Sequence, residues 1–133
     1  MALRYLVLAS RGGELDAELV DAVGQRTGLI AHWRSSRLAV LISEPRSPLE
    51  LGNGTGVIIG DLFYRHGSGP AIKNFDPASG IGLATAPARK LLERYWGGYL
   101  AVWTDGELVR ALRDPSGQLP CSYVTGPRVV AFA

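Results

Sequence analysis

Residues 91–123 read LLERYWGGYLAVWTDGELVRALRDPSGQLPCSY and carry most of the fold information in this chain of 133 residues. The stretch begins as the end of a helix, and YLAVWTD and ELVRALRD then follow as two strands. Asp105-Gly106 between them is a strong signal for a tight hairpin. The run RDPSG at 113–117 has the composition of a turn and leads into a third strand. The stretch therefore predicts a helix followed by antiparallel strands.

The rest of the chain extends this pattern in both directions. Leu15, Leu19, Ala22 and Val23 recur at helical spacing, and Gly28 is placed to end that helix in a left-handed conformation. A second helix is predicted from Thr85, as its N-cap, to about Trp96. Further strands are predicted at 3–9, 29–33, 37–42, 56–64, 119–124 and 128–132. The total is about eight strands and two helices, with a long loop at 65–82 and turns throughout 43–55.

Composition indicates one globular domain. Hydrophobic residues make up 47% and charged residues 20% of the chain, and the 17 Gly and 8 Pro favour short strands over a helix bundle. A net charge of +2 does not indicate a nucleic-acid partner. No segment approaches the ~20 apolar residues of a membrane span, so neither nucleic acid nor a membrane is expected as a partner. The expected compartment is the cytoplasm.

Three blocks of the sequence match a known family in the same order. Residues 37–40 (RLAV) resemble an Arg-Leu-Ser-Ile strand, and residues 59–63 (IGDLF) resemble Asn-Gly-Glu-Ile-Tyr. The third block joins the strand at 99–103 to the Arg-Asp-x-x-Gly turn at 113–117. The chain thus resembles the N-terminal amidotransferase-like domain of the asparagine synthetase family, and most of all that of lasso-peptide macrocyclases. This resemblance implies an α+β sandwich of two antiparallel sheets flanked by helices, forming a single domain over residues 1–133.

The resemblance also implies that the family's glutaminase chemistry is lost. That reaction needs a thiol on the residue after the initiator Met, and Ala2 has none. The Asn that stabilises the oxyanion is replaced by Ile59, whose side chain cannot donate, although Gly60 remains. Arg37 matches the Arg that holds the glutamine carboxylate. We therefore expect a degenerate glutamine pocket of Arg37, Ile59 and Gly60, no catalytic residue, and a pseudoenzyme.

Cys121 is the remaining candidate nucleophile. As a small apolar residue in a strand it is explained by burial alone. A reactive thiol needs an electropositive and partly exposed setting, with a base to activate it. His32 and His66 stand alone in a strand and a loop, and a single cysteine offers neither a disulfide nor a zinc set. No metal site is predicted, and a hydrolase that uses Cys121 is a third interpretation.

The Arg113, Asp114 and Gly117 motif also has two interpretations. The structural one is a buried or half-buried ion pair with a turn, in which Asp114 accepts backbone N–H groups. The functional one has Arg113 binding a carboxylate. The five-residue pattern follows the usual composition of turns and favours the structural interpretation.

The leading hypothesis is a non-catalytic N-terminal domain of an ATP-dependent asparagine synthetase-like ligase, a lasso-peptide cyclase by resemblance. It would pack on a synthetase domain of the same or a companion chain and shape the access route of a precursor peptide or carboxylate substrate. The chain itself shows no phosphate loop and no Ser-Gly-Gly-x-Asp-Ser signature, so ATP and Mg²⁺ are implied only for the synthetase domain. The alternative is a free-standing module that binds a peptide or protein. The apolar ending VVAFA leads us to expect a fold that is incomplete at the C-terminus.

Overall fold

The computed structural model describes residues 3–51, 54–73, 86–106 and 108–133. Within these ranges the chain forms nine strands and two helices. In chain order they are β1 (Tyr5–Ser10), α1 (Ala17–Thr27), β2 (Ile30–Arg34), β3 (Leu38–Ile42), β4 (Leu49–Leu51), β5 (Gly56–Tyr64), α2 (Pro87–Arg94), β6 (Tyr95–Asp105), β7 (Leu108–Arg113), β8 (Tyr123–Thr125) and β9 (Val129–Phe132).

The strands form two antiparallel sheets that pack face to face. The five-stranded sheet has the order β2-β3-β1-β9-β8, and the four-stranded sheet has the order β4-β5-β6-β7. Alternate side chains of β3, β5 and β6 point into the space between the sheets, as the strand period requires. The core between the sheets includes Val7, Val40, Val57, Leu100, Val102 and Phe132. The predicted α+β sandwich of two antiparallel sheets is confirmed.

Each sheet carries a helix on its outer face. Helix α1 buries Val20 against Leu8 and Leu41 of the five-stranded sheet. Helix α2 buries Leu91 in the second outer cluster, which includes Tyr99 of the four-stranded sheet. The described residues therefore form four layers, with a helix outside each sheet.

The caps of α1 follow the sequence pattern. Asp16 accepts a hydrogen bond of 3.0 Å from the N–H of Glu18 at the start of the helix. Gly28 ends it with a φ of 72°, where a left-handed residue is needed. The predicted role of Gly28 is confirmed.

Residues 91–123, from which the sequence analysis began, differ from their prediction at the boundary between the helix and the first strand. Helix α2 ends at Arg94, and Trp96 lies in β6 rather than in the helix. The cause is pairing with β5, since Trp96 is opposite Phe63 and their rings stack 4.6 Å apart. The predicted N-cap Thr85 lies outside the described residues. Pro87 opens the helix after Ala86, which makes no side-chain capping bond.

Two other segments also differ from their prediction. β4 arises at 49–51, where only turns were predicted, because its residues pair with Ile58, Val57 and Gly56 of β5. The strand predicted at 119–124 begins only at Tyr123, after Pro120 has interrupted the run. Of the loop predicted at 65–82, the described part, 65–73, contains neither helix nor strand.

Candidate functional site

A cavity of about 500 Å³ opens between β3 and β5 at one end of the sandwich. Ile59 and Gly60, two residues of the predicted glutamine pocket, line it together. Val40 and Ile42 of β3 form the facing wall. The side chains that line the cavity are mainly apolar, with Arg46, Asp61 and Lys73 as its charged members among the described residues.

Arg37, the third predicted pocket residue, lies elsewhere. It precedes β3, about 10 Å along the strand from Val40 at the usual rise per residue. Its guanidinium donates to the carbonyl of Ser10, at 3.0 Å, and to the carbonyl of Gly106 in the hairpin of the other sheet. Arg37 therefore bridges the two sheets, and it is not among the residues that line the cavity.

Ile59 is part of the core between the sheets. It is 4% exposed and belongs to the same apolar cluster as Val57 and Leu100. A buried amide at this position would need hydrogen-bond partners that this cluster does not provide. The position that the resemblance assigns to oxyanion binding is therefore occupied by a side chain that packs and cannot donate.

Gly60 is required by the backbone itself. It has a φ of +97°, and a Cβ there would lie 2.2 Å from the carbonyl oxygen of Gly98. Across the same strand pair, a Cβ on Gly97 would lie 2.0 Å from the carbonyl oxygen of Asp61. These two glycines allow β5 and β6 to approach closely beside the cavity. The presence of Gly60 is explained by this packing without any catalytic role.

The guanidinium of Arg46, which lines the cavity, already makes hydrogen bonds within the protein. Arg46 donates to the carbonyl of Gly60 at 2.8 Å and to the Asp61 carboxylate at 3.1 Å. Asp61 is exposed, so this pair contributes little to stability but does fix the Arg46 side chain. Lys73 is the other described cation of the lining.

Cys121 lies on the opposite side of the sandwich, half-buried beside Tyr5. The Tyr5 hydroxyl donates to the carbonyl of Pro120 at 2.5 Å. Burial raises the pKa of Tyr5 well above its usual range, and the neighbouring Cys121 raises it further. The phenol therefore stays protonated and cannot serve as the base that a cysteine nucleophile needs.

Neither histidine is placed to help Cys121. His32 lies on β2, and β2 and β8 are the opposite edges of the five-stranded sheet, about 19 Å apart at the usual strand spacing. His66 lies two residues beyond Tyr64, which pairs with Tyr95, and Tyr95 is about 16 Å along β6 from Leu100, the member of β6 in the core cluster beside Cys121. Nothing in this geometry supports the hydrolase interpretation.

The Arg113-Asp114 turn is built from hydrogen bonds, and the predicted ion pair between its two charges is wrong. Arg113 donates to the carbonyls of Leu119, at 3.2 Å, and Gly117, at 3.1 Å. Asp114 points the other way, into the protein, because successive side chains of an extended chain alternate in direction. The predicted turn itself is confirmed, with Gly117 at a φ of +67°.

Asp114 is the anchor of that turn. It is 2% exposed, and its carboxylate accepts the N–H of Tyr99 at 3.1 Å and that of Gln118 at 3.3 Å, together with the Ser116 hydroxyl. Burial alone would raise the pKa of Asp114, but these hydrogen bonds outweigh it and hold the pKa below its usual value. In turn, burial and then the Asp114 charge raise the pKa of Tyr99. The Asp114 carboxylate is thus ionised and holds the turn together through these hydrogen bonds.

A second cavity, of about 510 Å³, lies between β7 and β8, the two strands at the open side of the sandwich. The sequence did not predict it. Tyr123 is 70% and Val124 72% exposed, although their pattern is that of a core strand. The order of strands in a sheet decides which strand is at the edge, and no local pattern in the sequence gives that order. We call this cavity the edge groove; it is lined by Arg11, Leu100, Leu108, Val109, Ala111, Arg113, Cys121, Tyr123, Thr125, Val130 and Phe132.

Comparison of the chain with protein-family profiles, curated proteins and solved structures gives no match in any of the three. Within the described ranges, no helix has both the length and the apolar character needed to cross a membrane. The same residues contain no group of three or more His, Cys, Asp or Glu side chains arranged to hold a metal ion. Ala2 lies outside the described residues.

Proposed function

We propose that the chain is a non-catalytic domain of an asparagine synthetase-like, amide-forming enzyme of the lasso-peptide cyclase type. Its role is to support the synthetase domain and to shape the access of a peptide or carboxylate substrate. The synthetase domain, on the same or a companion chain, would hold ATP and Mg²⁺. This role places the protein in the cytoplasm.

The proposal rests on the cavity lined by Ile59 and Gly60, which lacks the hydrogen-bond donor that glutamine hydrolysis needs. A two-sheet sandwich keeps this cavity between its sheets, and Ile59 makes its wall apolar where the reaction would need a donor. Arg46 is held by Gly60 and Asp61, and Arg37 is used to join the sheets. The two-sheet scaffold is thus intact, while the groups that glutamine hydrolysis would use are replaced or bonded elsewhere. These are the features expected of a domain that supports a partner domain and is not itself catalytic.

The test is amide formation by a synthetase that is encoded with this chain. We expect the rate of peptide cyclisation, measured by mass spectrometry, to fall at least about tenfold when residues 1–133 are deleted or withheld, because binding and orientation of the substrate are lost. ATP–pyrophosphate exchange on the same samples separates loss of substrate positioning from loss of the synthetase fold. Undiminished cyclisation without the chain would refute the proposal.

A second candidate is a free-standing module that binds a peptide or protein. The edge groove favours it, because an exposed apolar surface beside two sheet edges is unusual for a protein without a partner. A genomic neighbourhood without a synthetase gene, together with a partner recovered in pull-down, would support this candidate over the first.

A further inference from the structure

The free edge of β8 presents unpaired backbone groups. Ser122 and Ala133 exchange both of their backbone hydrogen bonds, at 2.6 and 2.9 Å, and the N–H of Gly126 donates to Val129 at 2.8 Å. Along an antiparallel strand, residues whose backbone N–H and C=O groups face the partner strand alternate with residues whose groups face away from it. Tyr123 and Thr125 therefore direct their N–H and C=O groups away from β9. Within the described part of the chain, no residue bonds to these outward groups.

The edge groove beside these groups has a defined chemistry. Tyr123 packs near Phe132, with ring centroids 6.3 Å apart, and Val109 and Ala111 of β7 form the other wall. Two arginines line the groove, and none of its described lining residues is acidic. Arg11 donates to the carbonyl of Gly126 at 3.1 Å and Arg113 to those of Leu119 and Gly117, and these neutral acceptors leave both side chains positively charged. The surface is therefore apolar with positive charge, next to a row of free hydrogen-bonding groups.

We propose that the β8 edge binds an extended peptide in which apolar and acidic side chains alternate. The peptide adds a sixth strand to the five-stranded sheet, bonding to the outward groups of Tyr123 and Thr125. Successive side chains of the added strand point to opposite faces of the sheet, so its acidic side chains face the groove, toward Arg11 and Arg113, and its apolar side chains lie on the outer face beside Val124, which is 72% exposed. The proposal that a peptide binds here rests only on the edge groove. The identification of that peptide as a segment of the substrate rests on the proposed function.

Charge decides between such a peptide and a second copy of the chain. Two copies could pair β8 with β8, but each would bring its own Arg11 and Arg113 to the interface. Like charges face each other in that arrangement, whereas an acidic peptide complements them. The observations therefore favour the peptide.

The test uses the purified chain and two labelled peptides with blocked termini, one of alternating Val and Glu and one of alternating Val and Lys. Fluorescence anisotropy measures binding to the unmodified chain and to three variants, two of which are matched at position 125. Thr125→Pro removes the outward N–H at an edge position that tolerates proline, and Thr125→Val retains it. Arg11→Glu reverses one charge of the groove and retains the outward N–H and C=O groups of Tyr123 and Thr125, while it removes the bond of 3.1 Å from Arg11 to the Gly126 carbonyl.

We expect the Glu peptide to bind at least about tenfold more tightly than the Lys peptide, in line with the charge of the groove. Thr125→Pro should weaken binding at least about fivefold relative to Thr125→Val, because one backbone hydrogen bond is lost. If Thr125→Pro does not fold, judged by circular dichroism, Arg11→Glu decides, since it should reduce the preference for Glu at least about threefold.

The inference is overturned if the Glu peptide does not bind, if both peptides bind equally, or if neither Thr125→Pro nor Arg11→Glu changes the affinity. Sedimentation that shows a dimer displaced by no peptide would assign the edge to a second copy and would also overturn it. Failure here leaves the proposed function standing, because that function is tested by amide formation.

Discussion

Replacing Asp114 with Asn should show how strongly the Arg113-Asp114 turn holds the fold. The carboxylate accepts two backbone N–H groups, that of Tyr99 on β6 and that of Gln118 in the segment after β7, and the Ser116 hydroxyl. An amide has a single acceptor oxygen and presents an NH₂ group to the remaining donors. At about 1.5–3 kcal/mol for a hydrogen bond to a charged group, we expect Asp114→Asn to lower the free energy of unfolding by about 2–4 kcal/mol.

The pH dependence gives a sharper form of this prediction. The folded pKa of Asp114 lies below its unfolded value of about 3.9, so its stabilising effect is present above that value. The effect is lost as the pH falls from the unfolded pKa through the folded one. The difference in stability between the unmodified chain and Asp114→Asn should therefore be largest at neutral pH and shrink below about pH 4.

Urea unfolding followed by tryptophan fluorescence between about pH 3 and pH 7 measures this difference. Asp21→Asn, on the exposed surface of α1, is the matched control and should change stability by less than about 0.5 kcal/mol. A loss of under about 1 kcal/mol for Asp114→Asn at neutral pH, or a loss independent of pH, would refute the role assigned to this carboxylate.

Two further substitutions test the geometry of the cavity. Gly60→Ala places a Cβ against the Gly98 carbonyl at a positive φ, and we expect a loss of about 2–5 kcal/mol in urea unfolding, compared with no more than about 0.5 kcal/mol for Gly69→Ala in open space. Equal stabilities for these two variants would contradict the close approach of β5 and β6. Ile59→Asn should lower stability by about 3–5 kcal/mol and Ile59→Leu by less than about 1.5 kcal/mol, because only the amide is buried without partners. A stable Ile59→Asn variant would show that the cavity admits water.

Local patterns were sufficient for most of the fold. Gly28, the hairpin at Gly106 and the apolar runs of β5 and β6 act over a few residues, and the sequence shows them directly. The start of β6 was missed because the pairing of Trp96 with Phe63 overrides the helical pattern before it. Such pairing depends on a strand that is distant in the sequence.

The candidate site was predicted less completely, for the same physical reason. Arg37 bonds to the carbonyls of Ser10 and Gly106, which lie 27 and 69 residues away, so its bridging role cannot be read from its neighbours. Gly60 was assigned to a pocket by resemblance, and the structure adds a backbone reason for a glycine there. The exposure of Tyr123 follows from strand order, which the sequence does not encode locally.

Glutamine hydrolysis by the purified chain is the most direct test of the claim that this scaffold is not catalytic. Release of glutamate and ammonia is followed with a large excess of glutamine, for the unmodified chain and for Cys121→Ala. We predict no release above the buffer background for either protein, because Ile59 supplies no donor and the Tyr5 phenol beside Cys121 stays protonated. Turnover by the unmodified chain that disappears in Cys121→Ala would contradict the account.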